Sequence, residues 1–213
     1  MLVEEIMKTD MIKINEDTTI QEAMDLLQKH RIRHIPVVDE DMLIVGIVSD
    51  RDIRDASPSV FQLNALKEEL NRPVSDIMKY PVITAHPLDF VEETAVVLFE
   101  NDISALPVAV DDKLVGMLTE TNVLHTIVKM TGAHQPSSQI EVVVPNIYGH
   151  LADLSALFKQ HKINITSVLV YPSEDLKHKV LTFRVQTMDP RPIMNMIEEA
   201  GYHVKRPHFP GIE

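Results

Sequence analysis

Residues Gly46 to Asp52, GIVSDRD, and residues Gly116 to Asn122, GMLTETN, decide the fold. Each runs from a glycine through two apolar residues to Ser or Thr, with Asp or Asn three positions further on. That order reads as a β-strand passing straight into a helix N-terminus. Sliding the chain against itself by 71 positions aligns Val3 with Val74, Ile6 with Ile77, Met7 with Met78 and Ile12 with Ile83. The same shift aligns Glu22 with Glu93, Leu27 with Leu98, Ile32 with Ile103 and Pro36 with Pro107. Dropping one residue from the turn around Asp39 to Asp41 changes the register to 70 and brings Gly46 onto Gly116. A shared order of landmarks with one gap, in a predicted turn, is the signature of a duplicated unit.

Each copy reads the same way. A short acidic turn ending in Ile-Met leads to an extended segment, Met11 to Ile14 or Val82 to Thr84. A helix follows, and Thr19 with Glu22, or Asp89 with Glu92, supplies its capping box. Its buried stripe is Ile20, Ala23, Met24 and Leu27 in one copy and Val91, Thr94, Ala95 and Leu98 in the other, at helical spacing. Two strands come next, His34 to Val38 with Met42 to Val48, and Leu106 to Val110 with Leu114 to Leu118. A second helix opens at Ser49 and at Thr119. The pattern is βαββα twice, and pairing the copies creates one continuous core that neither builds alone. Asp55 to Arg72, with Phe61, Leu63, Leu66 and Leu70, reads as a helical connector packed against the pair.

Composition narrows the function. The 213 residues carry 20 Lys plus Arg against 32 Asp plus Glu, a net charge of −12. Phosphate backbones are held by a positive field, so direct nucleic-acid binding is not expected. With 45% hydrophobic and 24% charged residues the chain is globular. The absence of Cys removes disulfides, thiolate metal sites and cysteine nucleophiles. The start, MLVEEIMKTD, lacks an apolar signal core, and no later run is long enough to span a bilayer, so a cytoplasmic protein is expected. The closest of the six glycines are Gly201 and Gly211, too far apart for a Rossmann or Walker phosphate loop. His30 and His34 have metal-ligand spacing for one helix face, but Pro36 and the interleaved Arg31 and Arg33 argue against a metal site.

The repeated ends carry chemistry. Free amides and the helix dipole favour a phosphate at each helix start, where Ser49 or Thr119 can donate a hydroxyl. Asp52 can accept hydrogen bonds from both hydroxyls of a ribose, and the uncharged Asn122 can do so less strongly. The segments IRHIPV, residues 32–37, and ISALPV, residues 103–108, offer an apolar slot for a base, with His34 able to stack or bond. The same spacing also lets a helix cap itself, and Pro36 and Pro107 can simply set strand edges. Both readings stay open on the residues alone.

With these motifs, residues 1 to about 130 resemble tandem CBS domains, the Bateman module. The resemblance implies a regulatory pair, often dimeric, that binds an adenine nucleotide in the cleft between repeats: AMP, ADP, ATP, S-adenosylmethionine or NAD. It implies first-site contacts at Ile12, His34, Ile35, Pro36, Ser49 and Asp52. It offers Arg33 and Arg51 as expected phosphate partners, whose planar forks suit phosphate oxygens. The matching second-site positions are Val82, Ala105, Leu106, Pro107, Thr119 and Asn122. That set has Asn122 for the carboxylate and lacks the Arg and His, so the first site is expected to take charged nucleotides better.

The periodicity stops between Thr131 and Ser138, a predicted linker. Beyond it, Ile140 to Val144 reads as a strand, Leu151, Leu154, Leu157 and Phe158 as a helix, and Ile163 to Val170 and Val180 to Val185 as two strands. Asp189 is expected to cap a helix with Pro190 first, a stripe of Ile193, Met196, Ile197 and Ala200, and Gly201 as its stop. A strand at Tyr202 to Lys205 completes a ferredoxin-like βαββαβ unit. The segment VPNIYGHLADL, residues 144–154, resembles an ACT domain. The resemblance implies a small effector at Asn146, Gly149 and His150; a plain turn into a helix is the other reading, and the module can serve only to dimerise.

The expectation is therefore an α+β chain: CBS repeat 1 over residues 1–58, connector and repeat 2 over 59–130, linker 131–138 and an ACT-like domain over 139–213. No nucleophile constellation appears, so a non-enzymatic sensor is expected, with nucleotide as regulatory ligand and no required cofactor. Its domain order resembles regulators of acetoin utilisation in Gram-positive bacteria, implying control of acetoin or butanediol catabolism. The alternative is a scaffolding homodimer that binds a protein partner without nucleotide.

Overall fold

The computed structural model describes residues 1–56 and 69–206. The expected connector residues Phe61, Leu63 and Leu66 lie outside the described residues. The chain divides into two compact units, Met1–Leu124 and His125–Glu213.

In the first unit, one copy holds α1 (Ile20–His30), β1 (His34–Val38), β2 (Ile44–Ser49) and α2 (Asp50–Ala56). The other holds α3 (Val91–Glu100), β3 (Ala105–Val110), β4 (Lys113–Thr119) and the helix α4 (Glu120–Thr131), which runs past the boundary between the units. The α1 helix starts as the sequence predicts: Glu22 N donates to Thr19 Oγ1 at 3.2 Å, and Thr19 N donates to Glu22 Oε2 at 2.9 Å. The bond from Thr19 N, and after it one donated by the Thr19 hydroxyl to the same Oε2, hold the Glu22 carboxyl below its ordinary pKa. The α3 start differs from expectation. Its cap position is Phe90, without a side-chain cap, because the Asp89 carboxylate is taken by His86 N at 2.7 Å in the preceding turn.

Each strand pair is an antiparallel hairpin, and the register slips at the equivalent place in both, Val37/Val38 and Val108/Ala109. The predicted leading strands shrink to single parallel bridges, Ile14 with Val37 and Ala85 with Val108. In the first copy the chain turns away at once, with Thr18 N bonded to Asn15 O.

The leading turns are exchanged between copies. Val3 N bonds to Asp89 O, and Lys8 and Met117 exchange both backbone bonds, so residues from the first turn enter the second copy's core. Reciprocally, Val74 N bonds to Thr18 O, Lys79 exchanges bonds with Ile47, and Val74, Ile77 and Met78 pack in the first copy's core. The glycines make this possible: a Cβ on Gly46 would lie 2.4 Å from Met78 Sδ, and one on Gly116 2.6 Å from Met7 Sδ. A third cluster, with Val38, Ala105, Leu114 and Met117 at its centre, joins the hairpins into the continuous core expected of a pair.

The second unit contains β5 (Ser138–Pro145), α5 (His150–Gln160), β6 (Ile165–Pro172), β7 (His178–Val185), α6 (Arg191–Glu199) and β8 (His203–Arg206). Its four-stranded sheet has the order β6-β7-β5-β8, with antiparallel neighbours, giving the expected βαββαβ succession. Ile140, Leu154, Phe158, Phe183 and Ile197 fill its core, with the two Phe rings 4.8 Å apart. Asp189 stands one residue further from α6 than expected: Pro190 occupies the cap position, while Asp189 Oδ1 accepts from Arg191 N at 3.2 Å. The expected stripe ends at Ile197, since Ala200 is exposed at the helix end, where Gly201 turns the chain at φ 87°.

Candidate ligand site

The β1–β2 register sets His34 directly opposite Ser49, at the end of the hairpin where α2 begins. Ser49 caps that helix with Asp52: Ser49 N donates to Asp52 Oδ2 at 2.8 Å, and Asp52 N donates to Ser49 Oγ at 3.2 Å. The Ser49 hydroxyl also donates to Oδ2. The self-capping reading of this motif is therefore realised. It leaves Asp52 Oδ1 outside the cap, 3.5 Å from Lys79 Nζ.

These groups line a cavity of about 540 Å³, within the ordinary range for small-molecule sites. Of the residues singled out from the sequence, Arg33, His34, Ser49, Arg51, Asp52 and Ala105 come together there. Ala105 was expected in the second site, but it lies across from the first, and Ile103 and Ile47 join it as the apolar wall. The cavity therefore draws on both repeats. His34 Nε2 lies 3.3 Å from Ser104 Oγ of the second copy. Burial pushes the His34 pKa below its ordinary value, against the pull of the Asp50 and Asp52 carboxylates.

The remaining assignments sit elsewhere. Ile35 and Leu106 are fully buried, because alternate strand residues face the cores. Pro36 and Pro107 are buried opposite Ile47 and Met117. Ile12 packs half-buried against the first core, and Val82 is half-buried. Thr119 and Asn122 repeat the cap, with Thr119 N to Asn122 Oδ1 at 3.0 Å and Asn122 N to Thr119 Oγ1 at 3.3 Å. None of these lines the cavity.

Sequence reasoning missed several lining residues. Ser104 and Glu120 stand at the positions equivalent to Arg33 and Asp50, so the repeat alignment carried a signal for them. Lys79 had none, because it arrives through the exchanged turn. The cavity's cations are Arg33, Arg51, Arg54 and Lys79, and its acids are Asp50, Asp52, Asp102 and Glu120. Arg54 pairs with Asp50 at 3.5 Å and Lys79 with Asp52. Among the described residues, Arg33 and Arg51 enter no ion pair. Two open guanidiniums beside a helix start suit an anionic ligand.

In the second unit, Asn146 and Gly149 are exposed, and Gly149 enters α5 at φ 99°. The Asn146 side chain donates to Leu176 O at 3.4 Å. The His150 ring turns inward, edge-on to Tyr202 at 5.9 Å, and neither ring nitrogen finds a hydrogen-bond partner among the described residues. None of the three lines the cavity of about 540 Å³ in the first unit. No described helix is long and apolar enough to cross a membrane.

The CBS domain family matches residues 3–59 and 74–129. A CBS domain-containing protein of Dictyostelium discoideum is 34% identical over 143 residues, 64% of this chain and 98% of that protein. Other relatives carry enzyme names but are much longer: the chain matches 25% of a homoserine O-acetyltransferase from Methanococcus vannielii. The CBS domain pair of protein MJ0100, in complex with 5′-methylthioadenosine and S-adenosyl-L-methionine, is 30% identical with a TM-score of 0.52, covering 63% of this chain and 98% of that one. A Vibrio cholerae structure assigned to acetoin utilisation (AcuB) is 25% identical with a TM-score of 0.55, covering 65% of this chain and 98% of that one. The duplicated hairpins and the match over both copies together make this chain a member of the CBS domain family.

Proposed function

We propose that this protein is a non-enzymatic sensor whose CBS pair binds one adenosine-bearing nucleotide in the cavity beside α2. The observation that carries this reading is the pair of open guanidiniums, Arg33 and Arg51, in a cavity that also holds Asp52 Oδ1. Four cations stand against four acids in the lining, and among the described residues Arg33 and Arg51 are the cations outside any ion pair, so their planar forks are the groups open to a phosphate. Arg33 and Arg51 hold phosphate, Asp52 Oδ1 takes a ribose hydroxyl, and Ile47, Ile103 and Ala105 contact the base. The adenosine ligands of the MJ0100 pair support the class of ligand. Because the cavity is lined from both repeats, its occupant bridges them, and a ligand that prefers one arrangement of the pair shifts the protein toward it.

The second unit serves as an ACT-like dimerisation module. Its β6 edge supports this: the strand has no charged side chain, and Leu169 and Val170 are about half exposed on a single chain, whereas solvent-facing edges usually carry charge. Likeness to the Vibrio cholerae protein over the CBS pair supports a role in acetoin or butanediol catabolism.

Calorimetric titration with AMP, ADP, ATP, S-adenosylmethionine, NAD and acetoin tests the reading. One adenine compound binds at one site per chain, and Asp52→Ala weakens it at least about tenfold, since a bond to a charged acceptor is worth roughly 1.5–3 kcal/mol. No binding by any adenine compound overturns the nucleotide reading in favour of a scaffold.

A further inference from the structure

Lys79 lines the cavity yet has no part in the reading above. Its main chain is clamped to β2: Lys79 N donates to Ile47 O at 2.9 Å, and Ile47 N donates to Lys79 O at 3.2 Å. The clamp fixes the backbone at the cavity wall, while the side chain is 67% exposed. Its ammonium stands 3.5 Å from Asp52 Oδ1, the oxygen outside the helix cap. Asp52 itself is nearly enclosed, its side chain 11% exposed, so the approach to that oxygen is narrow and a cation stands in it.

We infer that Lys79 is a selectivity gate that makes the cavity prefer phosphorylated adenosine ligands to unphosphorylated ones. The inference rests on the assignment of Asp52 Oδ1 to ribose. A ribose hydroxyl reaching that oxygen competes with the ammonium for it and weakens the ion pair. A ligand without phosphate gives Lys79 no new partner, so its binding is reduced by the weakened ion pair. A phosphorylated ligand supplies an anion to which Lys79 can swing, because its four-carbon stem rotates while the clamped backbone stays. The new charge-assisted bond to phosphate is stronger than the partly exposed pair it replaces, so Lys79 adds to the affinity of a phosphorylated ligand. The second copy provides the contrast. Lys8 is clamped to Met117 by two bonds of 2.9 Å, but Asn122 stands where the carboxylate would be, and among the described residues Lys8 enters no ion pair.

The test is calorimetric titration of the full chain and Lys79→Met with AMP and with adenosine. Methionine keeps the apolar stem without the charge. AMP affinity falls about fivefold, adenosine affinity rises about twofold, and Lys79→Arg retains the wild-type preference, as expected for a partly exposed pair exchanged for a phosphate contact. Added salt also strengthens adenosine binding to the wild type and not to Lys79→Met. Equal changes for both ligands, or no change, overturn the gate. Asp52→Ala separates the two levels: if it leaves AMP and adenosine affinities unchanged, or if neither binds the wild type, the ribose assignment fails and the gate falls with it.

Discussion

The two helix starts of the first unit share a backbone device and differ in chemistry. Ser49 with Asp52 and Thr119 with Asn122 make the same reciprocal cap, with backbone bonds of 2.8 and 3.2 Å in one and 3.0 and 3.3 Å in the other. Around the first cap stand Arg33, His34, Arg51 and Lys79; the positions equivalent to Arg33 and His34 hold Ser104 and Ala105, which face the same cavity. The cap is thus a folding element in both copies, and the ligand chemistry lies in the side chains around it. The first helices diverge in the opposite sense: Asp25 and Gln28 on α1 correspond to Val96 and Phe99 on α3, which are 52% and 86% exposed. Charge and apolar surface have been divided between the copies without disturbing the common core.

The largest effect on this comparison is expected where the copies are alike. Ile35→Ala and Leu106→Ala remove equivalent, fully buried side chains, and each lowers stability by about 3 kcal/mol in denaturant unfolding. A large inequality would show that the two cores are not equivalent. Next comes the charge at the cap. Asp52→Asn keeps an acceptor for the helix but makes the first start resemble the second, and AMP affinity falls about tenfold in calorimetry. Asn122→Asp leaves that affinity within about twofold, because Asn122 does not line the cavity. Thr19→Ala costs about 1 kcal/mol through its lost cap, whereas Phe90 at the equivalent place has no side-chain cap to lose.

The smallest effect concerns pH. His34 has its pKa lowered from 6.5 in the folded chain, chiefly by burial, so below pH 6.5 the unfolded chain binds more protons than the folded one. Stability in the ligand-free protein is therefore full above that pH and declines as pH falls toward the folded value. His34→Gln flattens the decline in melting temperature as pH falls below about 6.5. An unchanged slope would assign the decline to other groups.

Much of this was legible in the residues. The repeat, both hairpins, the α1 cap and the succession of elements in the second unit follow from spacing, because hydrophobic periodicity and capping are local signals. The α3 start was misread because Asp89 has the right side chain for a cap, yet a turn amide one step earlier claims it. Ile35 and Leu106 belong to the motif that marks the cavity, but strand alternation turns them into the two cores.

By itself the sequence determined the duplicated α+β pair, the succession of elements in the second unit, the caps at Thr19, Ser49 and Thr119, and the charged character of the first helix start. It could not determine which copy receives each leading turn, since Val3 to Lys8 and Val74 to Lys79 are similar enough to fit either partner. The tertiary structure decided that exchange, and with it the arrival of Lys79 at Asp52 and of Ser104 at His34. The physical reason is range: helices and hairpins are set by contacts a few residues apart, while a site between repeats depends on side chains that only packing brings together.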